Sequence, residues 1–297
     1  MFLACATLLL IVAGALVTSH DAGLSVPDWP TSFGSLYKIP PMVGGVKWEH
    51  GHRMFAEFIG LLIIVMAIWT QRVEQRQWMK ALGWIALAAV VGQGVLGGLT
   101  VLFFLPWAIS TAHATLAQTI FCAVVAMAMF TSEGWLQESE PIHERGLSPS
   151  TNALTTLTAA AVWVQLILGA AFRHSGIKLL PHLLGACVVA GLICWTVIRV
   201  LAHYGNVAQL RRPAQLLLAL LMLQLGLGFV AYITRVQWSR DAIQPLASMV
   251  LSTVLHVAGG ALVLATSVIL AIQSRRMIPS QAPEAAVNAS HQKAVIA

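Results

Sequence analysis

Four histidines stand at matched places in this chain: His52, His113, His182 and His256 each lie near the start of an apolar run. Each is followed four residues later by a small residue, Ala56, Ala117, Ala186 or Gly260. Imidazole is a common iron ligand. One helical turn away, a missing side chain leaves room for a flat macrocycle against the helix. A single histidine near a membrane surface is usually a packed or interfacial residue. Four at equivalent positions point instead to two imidazole pairs, each able to hold one heme in the core of a helical bundle. His20, His50, His143, His203 and His291 read as solvated, and His174, in "FRHSG", fits either role.

The stretch "WEHGHRMFAEFIG" adds acids and a guanidinium to the first of these histidines. On a helix, Glu49 lies three residues before His52 and shares its face, whereas Glu57 lies four after Arg53 and reads as that residue's ion-pair partner. No carboxylate stands in the corresponding place beside His113, His182 or His256. The asymmetry suggests that the first site does chemistry and the second holds a cofactor. Arg53, Arg173, Lys178, Arg235 and Arg240 could pair with heme propionates; ordinary interfacial anchoring explains them equally well.

These residues need a scaffold, and composition restricts its type. The 297 residues are 58% hydrophobic and 9% charged, too little polar surface for a soluble globule. A spanning helix takes roughly 20 mostly apolar residues, and eight such runs occur, near 2–18, 54–70, 81–104, 110–130, 153–172, 182–200, 214–234 and 247–272. The expected fold is all-α, a polytopic membrane protein of eight helices; the ten-residue alternation of a transmembrane barrel is missing. The first run lacks a basic stretch before it and reads as helix one rather than a cleaved signal.

The histidines fall on the even helices, two in each half of the chain. The odd helices echo one another in "GQGVLGG", "VQLILGA" and "LQLGLGF". A duplicated four-helix bundle follows, with an N-terminal half (1–131), a cytoplasmic linker (132–150), a C-terminal half (151–273) and a disordered cytoplasmic tail (274–297). Lys and Arg favour the loops after helices two, four and six and the segment after helix eight, including Arg145. This slight bias puts both termini in the cytoplasm of a bacterial plasma membrane. Cys5, Cys122, Cys187 and Cys194 form neither a disulfide framework nor a zinc site, and nothing indicates a nucleic-acid partner.

With these residues in place, the chain resembles the heme A synthase family over nearly its whole length. The resemblance rests on Glu49-His50-Gly51-His52-Arg53, on His113, His182 and His256 in order, on "GLSVPDWP" at 23–30 and on "LGAAFRHSG" at 168–176. It implies two pseudo-symmetric halves and oxidation of a methyl group of heme O to formyl by successive hydroxylation. It further implies His182 and His256 as ligands of a resident heme b, His52 and His113 as the substrate heme site, and Glu49 as a catalytic carboxylate. The implied partners are the lipid bilayer, a heme O synthase, cytochrome oxidase assembly factors and a second copy of the chain. Two departures stand out. Val26 and Ser32 occupy places where many members carry cysteines, which excludes a thiol–disulfide role for that loop. "GALVTSHDAGLS" replaces an Arg-Leu-Thr run, which puts any substrate role of that Arg in doubt. A di-heme electron-transfer protein and a heme carrier without chemistry are the alternatives from other classes.

Overall fold

A computed structural model describes the chain except for residues 138–139, 145, 239–242, 244 and 280–297. The helices are α1 (Phe2–Ser19), α2 (Val46–Val73), α3 (Gln77–Leu102), α4 (Trp107–Phe130), the short α5 (Glu133–Leu136), α6 (Thr151–Arg173), α7 (Leu179–Tyr204), α8 (Ala208–Tyr232) and α9 (Ala247–Met277). A π-helical turn, Ile233–Trp238, continues α8. Among the described residues, eight helices are long and apolar enough to cross a membrane. Most run several residues past their apolar cores, because helical backbone stays self-satisfied in the polar interface as well. His52 therefore sits within α2 rather than at its start, and α9 carries residues 274–277 beyond the expected boundary at 273. Arg145, Arg240 and the tail from 280 onward lie outside the described residues.

Each half closes into a ring. In the first, α1 packs on α2, α2 on α3, α3 on α4 and α4 back on α1; in the second, α6, α7, α8 and α9 repeat the circuit. The diagonal partners make no close backbone approach: α2 with α4, and α7 with α9. Those four diagonal helices carry the four histidines. The halves join where α1 and α4 meet α6 and α9, around Ile11, Phe121, Cys122, Val162 and Leu264. Lipid is as apolar as these side chains, so shape and hydroxyl contacts must supplement their packing. Thr158 meets Thr196 at 2.7 Å, Thr234 meets Ser252 at 2.7 Å, and Ser19 meets Thr253 across the halves at 3.0 Å.

The linker is stitched to the second half. Ile142 N–H donates to the Met277 carbonyl at 2.7 Å, and the Glu144 carboxylate accepts from the Thr151 amide, the Thr151 hydroxyl and Tyr204. Partial burial pushes the Glu144 pKa up, but those hydrogen bonds outweigh it and hold the group below the usual carboxylate range. Arg76, between α2 and α3, donates to the Phe130 carbonyl at 3.1 Å and fastens the same end of the first half.

Candidate functional site

The four histidines sit in four copies of one seat. Each imidazole lies against a glycine of the preceding long helix: His52 on Gly14, His113 on Gly97, His182 on Gly169 and His256 on Gly228. A Cβ at those glycines would stand 3.2, 3.0, 2.9 and 2.9 Å from the ring's Cε1. The close approach therefore requires glycine, and it fixes the plane of each ring. Gly228→Ala is expected to push His256 off its seat while leaving α8 and α9 packed. Loss of the second site's heme absorption from a protein that still purifies as a folded chain checks this.

Three of the seats carry a further clamp. One turn before the glycine stands a glutamine whose Nε2 donates to the histidine's own carbonyl: Gln93 to His113 at 3.1 Å, Gln165 to His182 at 2.8 Å and Gln224 to His256 at 3.0 Å. The same amide also lies against a ring nitrogen, at 3.3, 3.0 and 3.5 Å respectively. The repeat Gln-x-x-Leu-Gly that builds these seats is visible in the sequence as the echo on the odd helices. What it held was not, because the residues it serves lie 17 to 32 positions away.

Across the second half, the His182 and His256 rings stand 6.3 Å apart between centroids with their planes at 86°. A metal held by two opposed imidazoles, each nitrogen about 2 Å away and each ring centre about 1 Å further, separates the centroids by roughly 6 Å. In the first half His52 and His113 stand on the diagonal pair α2 and α4. The Nδ1 atoms of His52, His113 and His256 are buried without a partner, a state that costs about 1–3 kcal/mol per group unless something binds there. Among the described residues no group of three or more His, Cys, Asp or Glu could hold a metal ion. Paired imidazoles thus fit a metal whose remaining ligands come from a macrocycle rather than from the protein, and the observed ring spacing fits heme.

Arg53 departs from expectation. Its guanidinium donates to Asp28 O (2.8 Å), Thr31 O (3.2 Å) and Val26 O (3.2 Å), and pairs with Glu49 at 2.7 Å. Both terminal nitrogens are thereby engaged, by the loop between α1 and α2 and by Glu49, so Arg53 holds protein groups where the sequence suggests a propionate. Glu57 is exposed and Glu49 is the partner of Arg53, because an acid four residues N-terminal to a base has the better helical geometry and the loop packs over that face. The second Glu49 oxygen accepts the Val26 amide at 2.7 Å, so a buried carboxylate, 4% exposed, anchors the loop one turn from His52.

The rest of the loop is tied to the same helix. His50 Nδ1 meets Ser32 Oγ at 3.1 Å, and Trp29 covers the face of α3 at Gly98. Asp28 gathers the Thr31 hydroxyl and the Phe33 and Gly34 amides. Slight burial raises its pKa, but these donors lower it further, below the usual carboxylate range.

Arg173 reaches from the end of α6 to α1, donating to Ser19 Oγ at 2.7 Å and Ala15 O at 3.2 Å. It staples the halves together and retains further donors. Lys178 is exposed at the start of α7, and Arg235 lies half-buried in the π turn. Neither makes a hydrogen bond to another described residue. His174 caps α6, donating its backbone N–H to Ala170 O at 2.9 Å. Burial, then the charges of Arg173, His113 and Arg235, lower its imidazole to about 4, so it stays neutral at pH 7.

Comparison with known proteins finds chains similar to this one. The model of the COX15-CtaA family, described as cytochrome oxidase assembly protein, matches residues 45–181. A protein named heme A synthase from Shouchella clausii is 29% identical over 226 residues, 73% of this chain and 70% of that one. Another of that name, from Symbiobacterium thermophilum, is 28% identical over 252 residues, 74% and 80% of the two chains. A third, from Alkalihalophilus pseudofirmus, is 28% identical over 171 residues, and the match spans 56% of that relative's length.

Proposed function

We propose that this chain is a member of the COX15-CtaA family of cytochrome oxidase assembly proteins, whose model matches residues 45–181, and that it is a heme A synthase. Heme O, the substrate, lies between His52 and His113, and a methyl group on its ring is oxidised to formyl by successive hydroxylation. His182 and His256 hold the resident cofactor, heme b, which supplies one-electron transfer when bound. The observation that carries this reading is the repeated seat: four imidazoles, each fixed on a glycine, in two diagonal pairs, one with its rings 6.3 Å apart.

The two halves of the site divide the labour. His182 and His256 have glutamine clamps and no acid in their seats, an arrangement suited to keeping a group in place. His52 has Glu49 one turn away, and through it Arg53 and the loop that covers this end of the first half. We assign Glu49 and Arg53 to positioning. Their pairing holds the loop over the substrate and keeps water from that end of the first half. Arg173, Lys178 and Arg235 keep donors for propionates at the same end of the bundle. The chain is a multi-pass membrane protein, and in this reading the histidine end faces outward and both termini lie in the cytoplasm.

Pigment extraction tests the proposal. Membranes of a host that makes heme O but not heme A, with and without this chain, are extracted and resolved by chromatography and mass spectrometry. Heme A or its hydroxylated precursor is expected only with the chain. Unchanged heme O beside a normally expressed protein would leave a heme binder without chemistry and overturn the synthase reading.

A further inference from the structure

The four seats are not equal. His113, His182 and His256 each have a glutamine four residues before the supporting glycine; in the fourth seat Gly14 is preceded at that spacing by Leu10. Leu10 packs in the apolar cluster with Ile59 and Ile63, and the His52 side chain makes no hydrogen bond to another described residue. The clamps themselves are graded. In the second half the glutamine oxygens lie on Gly185 and Gly259, where any Cβ would overlap them, so each amide is locked flat against the helix that carries its histidine. The corresponding places in the first half, three residues after the histidine, hold Phe55 and Leu116.

From this gradient we infer that His52 is the exchangeable ligand of the protein, the one that lets go of heme iron as substrate and product are traded, while the other three imidazoles stay fixed. The inference rests on the heme-binding reading of the four histidines and specifies how that site is loaded. A histidine whose carbonyl and ring are both bonded to a neighbouring helix has lost most of its side-chain freedom before a ligand arrives, which favours tight binding. His52 is held on its glycine by packing alone. It can turn about its side-chain bonds without breaking a hydrogen bond, so heme leaves the first half more readily than the second.

Heme transfer to excess apomyoglobin, followed by absorbance on the full-length chain purified in detergent and loaded with heme b, measures this directly. The wild-type protein is expected to release heme in two phases, the fast one missing from the His52→Ala/His113→Ala protein. Leu10→Gln supplies the missing clamp and is expected to slow the fast phase about tenfold. Gln93→Leu should quicken it, and Gln224→Leu should turn the slow phase fast; neither adds a polar group to the core, so both serve if Leu10→Gln fails to fold. A fast phase unchanged by Leu10→Gln and Gln93→Leu overturns the inference while leaving the site assignment in place. A fast phase that persists in the double-alanine protein overturns the heme-binding reading of the first half itself.

Discussion

His256→Ala is expected to abolish heme retention in the second half and to lower heme A formation by at least about 100-fold. Removing one of two opposed imidazoles leaves a single protein ligand, and even loss of a group that merely supports a ligand typically costs 10–100-fold in affinity. The substitution leaves the Gln224 amide on the backbone carbonyl of residue 256 and removes only its contact with the ring. The reduced-minus-oxidised spectrum of the purified protein checks the outcome: the six-coordinate signal of the second site should vanish while that of the His52/His113 site survives. His182→Ala should give the same spectrum. A second-site signal that persists in either variant would assign the ligands elsewhere.

The second large effect is expected at Glu49. Glu49→Gln keeps an oxygen for the Val26 amide but removes the charge facing Arg53, whereas Glu49→Ala removes both. Breaking one side of a buried, hydrogen-bonded ion pair costs roughly 3–5 kcal/mol; here the two side chains are 5% and 16% exposed, which places the cost toward the lower end. Activity is expected to fall about 100-fold in Glu49→Gln and further in Glu49→Ala. A readout beyond activity separates the loop from the chemistry. If Glu49 acts through the loop, proteolysis between residues 20 and 45 speeds up in step with the loss of turnover, and Arg53→Lys shows the same linked change. Full loss of turnover with an unaltered loop would instead give Glu49 direct contact with the reaction.

Much of this architecture is legible in the chain. Eight apolar runs, histidines on alternate ones and an echo between the odd ones suffice for the all-α membrane fold, because a lipid-spanning backbone has few solutions. The histidine seats are half legible. Small residues after the histidines on their own helices drew attention first, yet the glycines that the rings touch, Gly14, Gly97, Gly169 and Gly228, lie on neighbouring helices, and no periodicity within one helix reports a contact between two. Gln93, Gln165 and Gln224 showed as a repeat without showing their partners. The ion-pair partner of Arg53 is Glu49 rather than the expected Glu57 for a related reason. Both Glu49 and Glu57 lie four residues from it, and the choice between them is made by a loop whose path depends on Trp29 reaching α3, a contact across 69 positions of sequence.

That loop also has a bearing on traffic. It is fastened to α2 by the Val26 amide on Glu49, three carbonyls on Arg53 and the Ser32–His50 contact, and its Trp29 presses on α3. Opening it from above would break this whole set at once. For a substrate with a hydrocarbon tail, leaving the bilayer to enter from above would add about 0.8 kcal/mol for every buried CH₂ of that tail. A doorway in the wall, between helices that already face lipid, incurs neither cost. On the proposed function, the covered end would act as a fixed roof and the membrane itself as the corridor by which such a substrate arrives.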